Sequence, residues 1–93
     1  MLLTPRAVQD LDDIWDYTID RWGIDQAETY LGGVRAVLQA SLTAPTLLRA
    51  CGDVREGYSK IVVGSHVAFA RVEGEQLTVV RILHRRMDFA RHL

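Results

Sequence analysis

The spacing of apolar residues changes at Pro45, and this change constrains the fold more than any other feature of the chain. Before Pro45, apolar residues recur at intervals of three and four, which is typical of amphipathic helices. After it, short β-like runs are separated by glycine-containing turns, which is typical of antiparallel strands. The first half therefore predicts helices, and the second half predicts a sheet.

Two helices are predicted in the first half. Thr4 and Pro5 read as an N-cap followed by proline at the first helical position, and Gly23 ends this helix. The segment Asp25–Glu28 resembles a capping box that opens the second helix, which Pro45 stops. Because the linker is so short, we expect an antiparallel helical hairpin.

Each predicted helix has an apolar stripe that should face the sheet. The stripes consist of Val8, Leu11, Ile14, Trp15, Thr18, Ile19 and Trp22 in the first helix, and Ala27, Tyr30, Leu31, Val34, Val37, Leu38, Ser41 and Leu42 in the second. Asp10, Asp13, Asp16 and Asp20 are interpreted as a solvated face of the first helix. Gly32-Gly33 lies inside the second helix, where either a close helix–helix approach or drift would account for it.

The second half contains three β-like runs joined by tight turns. They are Tyr58–Val63, His66–Glu73 and Leu77–His84, with turns at Gly64-Ser65 and Gly74-Glu75. Residues 46–57 read as a loop, Met1–Thr4 as a strand stub, and Arg85–Leu93 as a tail with a short helix capped by Asp88. The predicted fold is a single α+β domain over residues 1–93, in two layers. An N-terminal antiparallel two-helix hairpin packs on a three- to four-stranded antiparallel sheet.

Composition limits the classes of protein to which the chain can belong. The single cysteine, Cys51, excludes an intrachain disulfide, and no apolar run is long enough for a transmembrane helix, so a cytoplasmic location is expected. The net charge of −1 conceals an asymmetry, since residues 1–46 carry −4 and residues 47–93 carry +3. We therefore expect a polarised surface.

Two groups of residues are candidates for chemistry. His66, His84, His92 and Cys51 lie at no local metal-ligand spacing and are interpreted as ordinary hydrogen-bonding residues. A basic cluster of Arg81, His84, Arg85, Arg86, Arg91 and His92 lies at the end of the last strand and beyond it. Salt bridges to the acidic helices would explain this cluster, and so would a surface for phosphate, nucleic acid or an acidic protein.

Several strings along nearly the whole chain together resemble the ParE branch of the RelE/ParE toxin superfamily. They are Leu11-Asp12-Asp13-Ile14-Trp15-Asp16-Tyr17-Thr18, Arg21-Trp22-Gly23, Gln26-Ala27-Glu28-x-Tyr30, Asp53-Val54-Arg55-Glu56-Gly57-Tyr58, Gly64-Ser65-His66, and Val80-Arg81-Ile82-Leu83-His84-Arg85-Arg86-Met87-Asp88. The resemblance implies a helical hairpin on an antiparallel sheet. It also implies a bacterial toxin that inhibits DNA gyrase and is neutralised by a ParD-type antitoxin.

The resemblance also shapes expectations about the site. It implies no cofactor and no catalytic residues. The residues themselves predict no metal site from their spacing, no membrane contact from composition, and no sequence-specific nucleic-acid binding by the toxin alone from the low net charge. The expected target-contact surface is Arg81, His84, Arg85, Arg86, Met87, Asp88 and Arg91. The expected antitoxin-binding residues are Trp15, Trp22, Tyr30, Val34 and Leu38.

Two alternatives remain open at this point. A RelE-type ribosome-dependent mRNA nuclease would use Arg85, Arg86 and a histidine, but Phe89 stands where a proton-exchanging tyrosine would be wanted. A degenerate, non-toxic antitoxin partner is the other. It is suggested by the short segment before Pro5, where ParE proteins usually have a longer edge strand.

Overall fold

In a computed structural model that describes residues 1–93, helix α1 (Pro5–Trp22) begins and ends as predicted. The Thr4 hydroxyl accepts a hydrogen bond from the Ala7 amide, and Gly23 ends the helix with φ 88°. The buried stripe is narrower than predicted and consists of Ala7, Asp10, Ile14 and Thr18. Trp22 projects from it and is 60% exposed.

Helix α2 (Ile24–Thr43) starts directly after Gly23, and no side chain caps it. The predicted capping box is therefore wrong. Asp25 lies inside the first turn instead, where its carboxylate interacts favourably with the positive end of the helix dipole. A Cβ added at Gly32 or Gly33 would meet nothing within 4 Å, so no close helix approach explains this pair. Neither long helix is apolar enough to cross a membrane.

Five strands form one sheet in the order β1-β5-β4-β3-β2. The strands are β1 (Leu2–Leu3), β2 (Arg49–Ala50), β3 (Tyr58–Val63), β4 (His66–Glu73) and β5 (Gln76–His84). The predicted β3–β4–β5 meander is confirmed, but the wholly antiparallel sheet of three to four strands is wrong, because β1 pairs in parallel with β5. A strand of two residues is too short to show an alternation of apolar and polar residues. The direction of β1 depends instead on how α1 docks against β5.

Both faces of the sheet bury apolar side chains. The face under the helices contributes to a core of Ala7, Ile14, Val34, Leu38, Ile61, Val63, Ala68, Val79 and Ile82. On the other face Cys51, Val67, Phe69 and Leu83 are covered by Val54, Tyr58, Phe89 and Leu93. Phe89 belongs to the short C-terminal helix α3 (Phe89–His92), which follows Asp88 as predicted, although the Asp88 side chain forms no capping hydrogen bond.

A bulge in β5 adjusts which residues point toward the helices. Phe69 pairs with Arg81, whereas Ala70 pairs with Val79, so Val80 is the extra residue. Beyond the bulge, Arg81 and the two residues that follow it are all buried. Val79 and Ile82 therefore both face the helices, whereas Arg81 shares the other face with its partner Phe69 and extends its guanidinium to Asp10 of α1.

Candidate functional site

A groove of about 770 Å³ lies between α1 and the end of β5. We call it the α1–β5 groove. It is lined by Arg6, Asp10, Asp13, Ile14, Tyr17, Thr18, Trp22, Gln26, Tyr30, Ser65, His66, Arg81, Ile82, Leu83, His84, Met87 and His92. Residues from both predicted surfaces meet here: Trp22 and Tyr30 from the antitoxin set, and Arg81, His84 and Met87 from the target set.

A buried ion pair closes the inner wall of the groove. The Arg81 guanidinium donates to both Asp10 carboxylate oxygens, with Nε–Oδ2 at 2.8 Å and Nη2–Oδ1 at 3.1 Å. The two side chains are only 11% and 9% exposed, respectively. Asp10 is therefore not part of a solvated face, and Arg81 is committed within the chain rather than available to a target.

The side chains of Thr4 and Asp10 also form hydrogen bonds with backbone groups of β5 beyond the point where β1 ends. The Thr4 hydroxyl donates to the Val80 carbonyl at 2.7 Å, and the Ile82 amide donates to Asp10 Oδ2 at 2.9 Å. By strand alternation, the Ile82 carbonyl and the His84 amide point to this same edge, where no strand pairs with β5. The groove therefore borders a short open strand edge.

An aromatic cluster forms the outer wall, at the corner between the two helices. The Arg21 guanidinium lies 5.3 Å from the ring centre of Tyr17 and 5.6 Å from that of Trp22. The two rings meet edge to face at 6.2 Å. Exposed tryptophan, tyrosine and arginine are the side chains enriched at binding hot spots, so this corner is suited to contact a protein.

The opposite wall contains a cluster of Tyr30, His66 and His84. Tyr30 Oη lies 2.6 Å from His66 Nδ1 and accepts a hydrogen bond from the Ser65 amide at 3.1 Å. The imidazole rings of His66 and His84 meet edge to face with centroids 5.4 Å apart. Burial, and secondarily the charge of His84, lowers the pKa of His66 below its ordinary value.

The predicted basic surface continues from the groove into the tail. His84, Arg85, Arg86, Met87, Asp88 and Arg91 are all exposed. Two hydrogen bonds hold the tail, from Arg81 Nη1 to the His92 carbonyl at 2.8 Å and from Arg55 Nη1 to the main-chain oxygen of Leu93 at 2.6 Å. The Phe89 ring packs on Phe69 with centroids 4.9 Å apart. The tail is thus anchored while its arginines face outward.

The other predicted antitoxin residues lie around a second, smaller depression of about 500 Å³ between the outer faces of α1 and α2. Trp15 lies at its surface and is half-buried, but Val34 and Leu38 are 1% and 3% exposed. Both are core residues, so their side chains offer no surface to a partner in this conformation. The antitoxin prediction therefore rests on Trp15, Trp22 and Tyr30.

The remaining candidate groups form no further site. Cys51 is fully buried behind β3, and burial raises the pKa of its thiol, which favours the unreactive neutral form. No group of three or more histidine, cysteine or acidic side chains is arranged to hold a metal ion.

Comparison with known proteins identifies the family to which this chain belongs. The model of the ParE toxin of type II toxin–antitoxin systems, parDE, matches residues 1–89. The chain belongs to the ParE toxin family. It is 48% identical to Toxin ParE1 of Mycobacterium tuberculosis strain H37Rv, covering 99% of this chain and 95% of the relative. It is 38% identical to Toxin ParE1 of Caulobacter vibrioides, covering 98% and 94%.

A solved structure supports the fold of this ParE chain. A chain from the chromosomal ParDE TA system of P. aeruginosa superimposes with a TM-score of 0.76, covering 90% of this chain and 95% of that one, at 20% identity. At that identity the likeness concerns the fold alone.

Sequence reasoning missed two features of the site in this ParE chain. Asp10 lies three residues after Ala7 and four before Ile14, so its spacing placed it on the buried stripe, although its charge suggested solvent. The contact between Tyr30 and His66 had no local signal, because 36 residues separate the two side chains.

Proposed function

We propose that this ParE-family protein is a toxin that inhibits DNA gyrase in the cytoplasm and is neutralised by a ParD-type antitoxin. The observation that carries the proposal is the similarity to ParE1 toxins along 98–99% of the chain. Gyrase is the target that the family resemblance implies. The mechanism is binding, with no bond made or broken by the toxin.

The basic tail supplies the charge for a target contact. The Arg81–Asp10 pair is the one ion pair of the chain, so Arg85, Arg86 and Arg91 have no carboxylate within the protein. Exposed guanidinium groups suit bidentate contacts to carboxylates or phosphates, both of which a complex of gyrase with DNA presents.

The antitoxin would act by covering the α1–β5 groove. The aromatic corner at Trp22 and the start of the basic tail at Met87 line the same concavity. An extended antitoxin segment placed there would pair with the open edge of β5 at His84 and would exclude a target from the tail. One bound segment therefore explains neutralisation by steric masking.

A ribosome-dependent mRNA nuclease is the second candidate. It is favoured by the adjacent imidazoles of His66 and His84, a pair able to act as acid and base. It is disfavoured because Asp10 neutralises Arg81, the one buried cation that lines the groove. Cleavage of mRNA in a translation extract by purified toxin, lost in the His66→Asn variant, would favour this candidate over gyrase inhibition.

A gyrase supercoiling assay tests the proposal. We expect wild-type protein to inhibit supercoiling at micromolar concentration and the double variant Arg85→Ala/Arg86→Ala to lose most of this inhibition while remaining folded. Arg35→Ala/Arg71→Ala is the matched control, since it removes two exposed charges elsewhere and should inhibit like wild type. Folded wild-type protein that fails to inhibit gyrase would contradict the proposal.

Growth experiments test the remaining alternative. Expression without antitoxin should arrest growth, and co-expression of a cognate ParD-type antitoxin should restore it. Normal growth with folded protein in the cell would instead support a degenerate toxin that only binds its antitoxin.

A further inference from the structure

A chain of side-chain contacts runs along one wall of the α1–β5 groove, from α2 to the first turn of the basic tail. Tyr30 contributes the first group, and its hydroxyl lies between the Ser65 amide and His66 Nδ1. The fit is close, because a Cβ added at Gly64 would lie 2.9 Å from the Tyr30 ring. Helix α2 is thereby fastened to the β3–β4 turn.

The second contact joins the two histidines across the sheet. His66 and His84 are direct cross-strand partners on β4 and β5, and their rings pack edge to face. The orientation of one ring therefore restricts the other, as expected for a cross-strand aromatic pair.

The third contact joins His84 to the tail. The Arg86 amide donates to His84 Nδ1 at 3.1 Å, and the Met87 amide donates to the His84 carbonyl at 3.0 Å. The Arg85 amide donates to the Ser65 carbonyl at 2.9 Å. The turn that presents the two arginines is thus held by His84 and by the same β3–β4 turn that Tyr30 fastens.

The hydrogen bonds also restrict where each imidazole carries a proton. His84 Nδ1 accepts from the Arg86 amide, so a proton on that neutral ring belongs to Nε2. The Tyr30 hydroxyl accepts from the Ser65 amide and forms a second hydrogen bond with His66 Nδ1, whose direction depends on the His66 tautomer, because the Val63 carbonyl at 3.4 Å is another acceptor for the hydroxyl proton. Either direction joins Tyr30 to His66.

We propose that Tyr30, His66 and His84 act together as a positioning relay, which fixes the Arg85–Met87 turn in the shape that contacts the target. The three residues are positioning residues, and the arginines make the contact. This inference rests on the proposed function for its target but not for its geometry. It adds to that function the reason why a residue of α2 influences a surface at the end of β5.

The relay predicts a specific response to removal of one hydroxyl group. In Tyr30→Phe the amide of Arg86 should exchange with solvent about fivefold faster, the effect of weakening one hydrogen bond. Gyrase inhibition should weaken by a similar factor. Tyr58→Phe is the matched control, because Tyr58 packs on the other face of the sheet, outside the groove, and its hydroxyl forms no hydrogen bond within the chain. Both measurements should be unchanged in that variant.

A pH series separates positioning from simple stability. Protonation of His66 places a charge on the ring that contacts both Tyr30 and His84, so exchange of the Arg86 amide, corrected for its intrinsic pH dependence, should accelerate in acid. The other titratable groups lining the groove are the paired Asp10 and Arg81, together with Arg6, Asp13, Tyr17, Tyr30, His84 and His92. His66→Asn removes both the titrating group and the ring that contacts His84, so the Arg86 amide should exchange faster than in wild type and the acid response should be smaller.

The outcomes divide clearly between the relay and the proposed function. Unchanged Arg86 exchange in folded Tyr30→Phe would overturn the relay, whatever gyrase does. Faster exchange with undiminished gyrase inhibition would overturn its functional part. Wild-type protein that does not inhibit gyrase would contradict the proposed function, while the exchange and pH measurements would still decide whether the relay exists.

Discussion

Removing the Asp10 carboxylate tests the buried ion pair, and Asp10→Ala is expected to destabilise the fold severely. In the native protein this carboxylate accepts three hydrogen bonds, two from the Arg81 guanidinium and one from the Ile82 amide. Its loss leaves a buried cation and a buried backbone donor unsatisfied. Breaking one side of a buried pair costs about 3–5 kcal/mol of unfolding free energy.

The size of this effect is large relative to the stability of a 93-residue protein. Small domains are stable by only about 5–15 kcal/mol. Each kcal/mol corresponds to roughly 4–8 °C in melting temperature at this size, so Asp10→Ala should melt roughly 12–40 °C lower. Urea unfolding followed by the fluorescence of Trp15 and Trp22 gives the free energy, and circular dichroism gives the melting temperature.

Two comparisons make the measurement decisive. Asp16→Asn removes an exposed carboxylate from the same helix and should change the unfolding free energy by less than about 0.5 kcal/mol. The double variant Asp10→Leu/Arg81→Met removes both charges and should recover much of the loss, because apolar residues of similar volume replace buried pairs well. If Asp10→Ala were no less stable than Asp16→Asn, the reasoning about the buried pair would be refuted.

Three further predictions follow from particular residues. Gly23→Ala should lower the free energy of unfolding by about 1–3 kcal/mol, because φ is +88° there; Gly32→Ala, in an exposed helix interior, should raise it by about 0.5–1 kcal/mol. The same urea titration checks both, and equal effects would contradict the backbone argument. Phe89→Ala should cost about 2 kcal/mol, less than a fully buried phenylalanine, because the ring that covers Phe69 is half-buried. Since the pKa of His66 is below its ordinary 6.5 in the fold, the unfolded chain binds this proton first. The free energy of unfolding should therefore fall as pH drops below 6.5 and level off below the pKa that His66 has in the fold. In His66→Asn this fall should be smaller. A pH profile identical to that of wild type would contradict the role of His66.

The secondary structure was largely predictable because it depends on local patterns. Thr4-Pro5 and Gly23 delimit α1 by backbone chemistry that acts within a few residues. The glycine-containing turns at residues 64–65 and 74–75 define the β3–β4–β5 meander in the same way. The capping box was a weaker local signal. It does not form, because Gly23 both ends α1 and directly precedes the first residue of α2.

The sequence predicted which residues belong to the site but not how these residues are arranged in space. Trp22, Tyr30, His84 and Met87 were named on two separate surfaces, and the structure brings them to one groove. Burial removes Arg81 from the surface, because its guanidinium pairs with Asp10 of α1. The bulge at Val80 also shifts the alternation of side chains along β5. No pattern in the strand itself announces that bulge.

The sequence by itself determined the helical hairpin, the central meander, the turns between its strands and the membership of the ParE family. Each depends on the order of residues over a short span or along the whole chain. The tertiary structure decided which charges are buried, since Asp10 and Arg81 meet only when α1 docks beside β5. It also decided the direction of β1 and the contact of Tyr30 with His66. These features join residues more than 30 positions apart, and packing in three dimensions, not local propensity, selects such partners.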